Sequence, residues 1–430
     1  MLKIQQKIFK WGKFMKKRIF SYLLTILFII LAVVSFRQKE ILDEEIKIGV
    51  LTSTILAPKS YLLVYNQDLQ PIEQKKISEG GVGTNVDTHS RVGDELFLNI
   101  AGTKYLDFHI NGMLSVNCAT NKITKYPVSF SNQGRRVGTE AVAANSKNIY
   151  TIERLVPAEV IMHQRSTEQK TARWMPDNHF FEFLSFIAAN EQYVFVGTSM
   201  PSGQTTGQGT AYLYILDAST LAVHSKINLS TYGDRVGDSY LLTEESLYFE
   251  VSEEKPLSQK EIKDLREQYE WLANQETEPN WLVQKDSATE VRAQETPGQD
   301  KINIPLTYSY YRLVRVDLHH FYKEIIDIGS KGIGGIEEYG DLLLILSDHS
   351  IADYLMVYDK GEKQKLNYEL PDSPHNICVS GDRGYLLGHA NEGFYLSEIN
   401  LASKPFHITK RQKLEIDYDQ HSVGMYVYTK

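Results

Sequence analysis

The sequence predicts an all-β fold, a closed ring of seven four-stranded antiparallel sheets. Three observations predict it. Long apolar hairpins recur from one end of the chain to the other, a second and shorter kind of hairpin lies between them, and the chain finishes on an isolated strand where the first repeat lacks its inner pair. The 26 Tyr and 17 Phe against 13 Pro favour aromatic-rich β-structure over disorder.

The amino terminus comes first. Residues 1–18 hold Lys3, Lys7, Lys10, Lys13, Lys16, Lys17 and Arg18 with no acid, and the run 19–36 is uncharged. A helix of that length spans roughly 27 Å, close to the hydrocarbon thickness of a bilayer. The expected organisation is a basic cytoplasmic segment (1–18), a single-pass signal-anchor helix (19–36) and an acidic linker (37–46), with everything beyond outside the cytoplasmic membrane. A cleaved signal peptide, giving a secreted protein, is the alternative. Seven of the 46 basic residues precede the linker and none of the 54 acids does, so the remainder carries a formal charge of −15. That balance argues against nucleic-acid binding, where a basic surface is expected.

Ala211 to Leu229 sets the pattern of the repeat. Tyr212 to Leu216 forms an apolar strand, Asp217 starts a turn by accepting hydrogen bonds from the backbone ahead, and Leu221 to Leu229 returns. Hairpins of this kind are expected at Tyr61 to Ile77, Leu114 to Val128, Glu159 to Trp174, Tyr311 to Ile328, Tyr354 to Leu370 and Phe394 to Thr409. Six of the seven turns begin with Asn or Asp; Gln164 is the exception. Shorter inner pairs are expected at Ala141 to Ile152, Phe183 to Val196, Tyr240 to Val251, Ile336 to Leu346 and Ile377 to Leu387. The final strand, Met425 to Tyr428, joins the first hairpin and completes a seventh sheet, which removes the free edges of an open array. Lys47 to Thr54 also reads as a strand. Cys118 and Cys378 fall in repeats two apart, so no disulfide is expected between them.

Two hairpins per repeat at a period of about 40 to 53 residues is the period range of a propeller blade. Over roughly residues 47 to 430 the pattern resembles the β-propeller superfamily, particularly bacterial extracytoplasmic propellers of the quinoprotein-like and YVTN-like kind. The resemblance is architectural and transfers no catalytic residue. It implies a β-propeller; with the blade count and the segments read from the residues, the expected fold is a seven-bladed β-propeller closed by its terminal strands, with one N-terminal transmembrane helix and a partly helical insertion.

With strands a to d numbered outward from the axis, the d-to-a and b-to-c connections share one face. The long ones fall there: Gly102 to Gly112, Thr198 to Thr210, and the insertion 252–307. Within the insertion Ser258 and Glu261 form a capping box, and Ile262, Leu265, Tyr269 and Leu272 mark one face of a helix to about Asn274. Tyr269, Trp271 and Trp281 are the expected partner-docking residues; the alternative is that this apolar stripe packs on the propeller's own surface.

At the start of strand a, Arg136-Val-Gly138, Arg235-Val-Gly237 and Lys331-Gly-Ile-Gly334 repeat a theme. Arg136, Arg235 and Lys331 are the expected ligand-binding residues at the axial mouth, where guanidinium groups suit carboxylates or phosphates. Bonding of loop carbonyls between blades is the competing role. Glu140, Asp238 and Glu337 lie near strand a as channel-lining acids or turn caps. No catalytic motif, metal-ligand set or cofactor loop is found, and no cofactor is expected. The paired His319-His320 reads as solvated, and a metal site from His89, His179 and His375 lacks an assignable carboxylate.

The sequence therefore points to a membrane-anchored propeller that binds a protein or cell-envelope partner through its long-loop face. The alternative is an enzyme, a lactonase-like hydrolase or an oxidoreductase, with an axial-channel site for an anionic substrate.

Overall fold

The computed structural model describes residues 46–54, 59–77, 82, 90–100, 112–127, 139–153, 158–167, 169–178, 181–200, 209–256, 258, 260, 263, 307–328, 332–348, 354–416 and 421–430. The expected membrane helix at 19–36 lies outside them, as does most of the expected insertion helix. Among the described residues no helix is long and apolar enough to cross a membrane.

Lys47–Tyr428 is one compact unit, and its strands form seven four-stranded antiparallel sheets among the described residues. β1 (Ile46–Ser53), β2 (Ser60–Asn66) and β3 (Pro71–Ile77) are the outer three strands of blade one. Blade two holds β4 (Ser90–Val92), β5 (Glu95–Ile100), β6 (Gly112–Asn117) and β7 (Lys122–Pro127). Blade three holds β8 (Thr139–Ala144), β9 (Asn148–Glu153), β10 (Glu159–Gln164) and β11 (Lys170–Trp174). Blade four holds β12 (Phe183–Ala189), β13 (Tyr193–Met200), β14 (Thr210–Asp217) and β15 (Val223–Asn228). Blade five holds β16 (Arg235–Leu242), β17 (Ser246–Pro256), β18 (Thr307–Asp317) and β19 (Lys323–Ile326). Blade six holds β20 (Gly332–Tyr339), β21 (Leu342–Asp348), β22 (Tyr354–Asp359) and β23 (Gln364–Glu369). Blade seven holds β24 (Ser373–Ser380), β25 (Arg383–Ala390), β26 (Gly393–Asn400) and β27 (His407–Lys413). β28 (His421–Thr429) then returns to pair with β1 as the innermost strand of blade one. The chain is a seven-bladed β-propeller closed by its terminal strands, and the strand expected at Lys47 to Thr54 is the one that receives β28.

The core lies between blades. In blade three Tyr150, Ile152, Val160 and Met162 face blade four, where Leu184, Val194, Val196 and Tyr214 meet them. The alternate residues of blade three face the other way, and Ile149 packs with Phe97 and Met113 of blade two. Strand alternation thus feeds two neighbouring cores from one sheet, so the second strand of a blade is apolar on both faces.

The outer turns work as their residues suggest. Asp217 Oδ1 accepts from the amides of Ser219 at 3.0 Å and Thr220 at 2.9 Å. Asn66, Asn117, Asp317, Asp359 and Asn400 make the same kind of bond to backbone amides two or three residues on. Four residues after the turn-starting side chain, or three after Asn66, the backbone turns left-handed at non-glycine residues, Leu69, Asn121, Leu221, Phe321 and Lys363. This conformation is costly for leucine. Burial of Leu69 and Leu221, 1% and 2% exposed, offsets it.

Blade two has an inner pair, β4 with β5, that the sequence reading did not mark. The insertion also begins later than expected, because β17 runs through Ser252 to Pro256 and β18 starts at Thr307.

Candidate functional site

Connection lengths divide the two faces. The a-to-b turns span two or three residues and the c-to-d turns four to six, while the b-to-c connection of blade five runs from Pro256 to Thr307. That connection stands on a stalk. β16 pairs with β17 as far as Arg235 opposite Ser252, whereas β17 and β18 continue through four further pairs, Glu253 with Tyr310 to Pro256 with Thr307. A two-stranded ribbon of four pairs projects about 13 Å past its sheet.

An isolated ribbon of this kind is marginal in water, and here charged side chains brace it. Arg312 bonds Glu253 at 2.6 Å and the carbonyl of Tyr232, tying the ribbon to the preceding loop. Its guanidinium lies 4.7 Å from the centroid of Tyr310, whose ring also carries Lys255 Nζ at 3.6 Å. Tyr310 in turn donates its hydroxyl to the Asp327 carboxylate at 2.8 Å. Arg235 bonds Glu254 at 2.5 Å. Of the three cations expected to bind a ligand, Arg235 lies at the base of the stalk in this pair, with both members half-exposed. Arg136 and Lys331 lie outside the described residues, as do Tyr269, Trp271 and Trp281.

The axial channel is the second feature. Each inner strand pairs on one edge and turns the other toward the axis, so unpaired backbone groups line the channel. Neighbouring blades satisfy several of them. Ser239 Oγ donates to the Ile333 carbonyl at 3.0 Å, Arg91 Nη1 to the Val427 carbonyl at 2.8 Å, and Cys378 Sγ reaches the Met425 carbonyl at 3.4 Å. The amides of Val236 and Ile333 donate to Ser199 Oγ at 2.7 Å and Glu250 Oε2 at 2.8 Å.

Five inner strands break register in their first half: between Thr139 and Ala141, Leu184 and Phe186, Val236 and Tyr240, Ile333 and Gly335, and Pro374 and Asn376. Bulges of this kind bend a strand and re-aim its side chains. On the short-turn side of this ring lies a cavity of about 310 Å³, reached by Arg91, Ser239, Glu337, Asn376 and Cys378. Glu337, one of the acids marked near strand a, lines it. Its carboxyl is pushed up to about 7, chiefly because burial penalises the charge and secondarily because Glu338 is close. The Cys378 thiol is pushed well above its usual range by burial, so it stays protonated. The cavity thus sits in the opposite half of the channel from the expected long-loop mouth. Arg91, Asn376 and Cys378 were not marked as site residues, and only their place on inner strands signals them.

His375 is exposed at the bulge of β24, and His320 bonds Asp317 at 3.2 Å in an exposed turn. His89 and His179 lie outside the described residues. Among the described residues no group of three metal-type ligands occurs. Cys118 and Cys378 are free and buried, in blades two and seven.

No protein-family model matches the chain, and no curated protein matches it in sequence. Among solved structures the chain is similar to a putative 6-phosphogluconolactonase from Bacteroides uniformis, with a TM-score of 0.51 at 10% identity, covering 90% of this chain and 100% of that one. AztD from Citrobacter koseri gives 0.46 at 10% identity over 90% and 98% of the two chains. BamB from Moraxella catarrhalis gives 0.41 at 8% identity over 84% and 86%. At such identities the first likeness shows the β-propeller fold and carries no activity.

Proposed function

We propose that the protein is a membrane-anchored binding propeller. Residues 19–36 hold it in the cytoplasmic membrane with the amino terminus inside, and the stalk of blade five presents the segment 257–306 to a protein or cell-envelope partner. The stalk carries this reading. A loop without a task has no need of a ribbon braced by Arg312, Tyr310 and Arg235, and long connections on a rigid scaffold are where binding residues concentrate. Tyr269, Trp271 and Trp281 would supply the aromatic anchors typical of interfaces. The test replaces residues 257–306 by an Asn-Gly turn joining Pro256 to Thr307, followed by crosslinking and pull-down from membranes. Capture should disappear while the melting temperature holds. Undiminished capture would sink the docking role.

A second reading, an enzyme for a small anionic substrate, draws support from the axial cavity. A lactonase-like hydrolase or an oxidoreductase is the class concerned. Metal analysis, with hydrolase and quinone-cofactor screens on the purified protein, tests it, and it requires a turnover that Glu337→Gln removes.

A further inference from the structure

The axial cavity holds an acid and a guanidinium, and neither has an ion-pair partner among the described residues. Glu337 comes from β20 in blade six and Arg91 from β4 in blade two. In a ring of seven, blades two and six stand three steps apart, the largest separation available, so the two side chains belong to opposite walls. Glu337 has no ion-pair partner among the described residues; its neighbour Glu338 is taken by Lys360. Arg91 uses Nε on the Gly93 carbonyl at 3.0 Å and Nη1 on the Val427 carbonyl at 2.8 Å. No carboxylate among the described residues meets its guanidinium, and Nη2 makes no bond there.

We propose that the cavity binds a small zwitterion of the amino-acid or short-peptide class, its ammonium group on Glu337 and its carboxylate on Arg91. An ion of one sign would engage one wall and leave the group on the other without a ligand contact. A zwitterion matches both. Size agrees: 310 Å³ is the volume of about ten waters, enough for an amino acid or a short peptide and too little for a folded partner. The wall between the charges suits the same class, because Asn376 offers an amide and the inner-strand edges offer amides and carbonyls that pair with a peptide unit. The site stands apart from the stalk, so it does not depend on the docking reading.

Ligand binding carries a pH signature. The groups facing Glu337 are Glu338 on its own strand and the protonated Cys378 thiol of β24, and neither supplies a positive charge. The empty site therefore keeps Glu337 largely protonated below about 7, and an ammonium ligand must displace that proton. Affinity should rise from pH 6 to pH 8.

Calorimetric titration of the full chain in detergent micelles tests this, with glycine, glycylglycine and triglycine as zwitterions and propylammonium and propionate as single-charge probes. At least one zwitterion should bind tenfold or more tighter than either single-charge probe, and tighter at pH 8 than at pH 6. Glu337→Gln should weaken it at least tenfold and abolish the pH dependence. Arg91→Lys, which keeps a cation at the wall, should weaken it through loss of the guanidinium fork; a melting curve establishes that each variant is folded. The proposal is overturned if no zwitterion binds, if propylammonium or propionate binds as tightly, or if Glu337→Gln leaves the affinity unchanged.

Discussion

The ring of Tyr426 occupies the space where a side chain on Gly49 would begin. Gly49 lies in β1 and Tyr426 in β28, and an added Cβ at Gly49 would collide with the Cε1 and Cζ atoms of the tyrosine. Tyr426 is 2% exposed, and its hydroxyl meets Asn121 Oδ1 of blade two at 3.2 Å. One ring therefore locks the closing strand to blade one and blade one to blade two.

Gly49→Ala should push that ring out of place and destabilise the propeller by about 1–3 kcal/mol. Tyr426→Leu in the same chain should return part of the loss, because the two positions share one space. Urea midpoints of the two single variants and the double variant check it, and strictly additive losses would show that the ring is not the point of contact.

Glu337 makes the fold less stable as the pH rises. Its folded carboxyl titrates near 7 against an ordinary 4.5, so between these values the unfolded chain has released a proton that the folded chain keeps. Stability is lost across that window. Glu337→Gln removes the loss, and its melting temperature relative to the natural protein should climb between pH 4 and pH 8, by the equivalent of roughly 1–3 kcal/mol.

His163 acts in the opposite sense. It is 3% exposed, Thr151 Oγ1 lies 3.5 Å from its Nε2, and burial, helped by Lys170, pushes its imidazole down to about 4. Between 6.5 and 4 the unfolded chain takes up a proton that the folded chain refuses, so stability present above 6.5 is lost as the pH falls. His163→Gln should flatten this part of the stability profile. An unchanged acid limb in denaturant titrations at pH 7, 6, 5 and 4 would refute it.

Arg312→Ala should loosen the stalk. It removes the bonds to Glu253 and the Tyr232 carbonyl and one cation from the face of Tyr310. The expected cost is about 1–3 kcal/mol in global stability. Amide exchange at Glu253 to Lys255 should accelerate more than exchange in the neighbouring β21, and equal acceleration would mean that Arg312 supports the blade as a whole.

The repeat was readable because its signals are local. An Asn or Asp that ends an apolar strand closes its turn within three residues, and that chemistry needs no knowledge of the ring. β4 escaped because Ser90 to Val92 is too short for any alternation to register. Leu69 and Leu221 gave no sign of their left-handed backbone, since leucine's own preference opposes it and only the core beneath makes up the cost. The cavity was half readable. Glu337 stood out as an acid beside an inner strand, but Arg91 became its counterpart only when blades two and six were set across one axis. The bulges of the inner strands depend on pairing registers that composition does not express.

The order in which the ring is made has a consequence of its own. β1 is synthesised before every other described strand, yet its inner edge finds its partner only in β28, more than 360 residues later. At about 5–20 residues per second a ribosome needs on the order of 20 to 70 seconds to bridge that gap. Through that interval the nascent chain is an open arc whose two raw margins can pair with any passing strand, and blade one stays unfinished until β28 arrives.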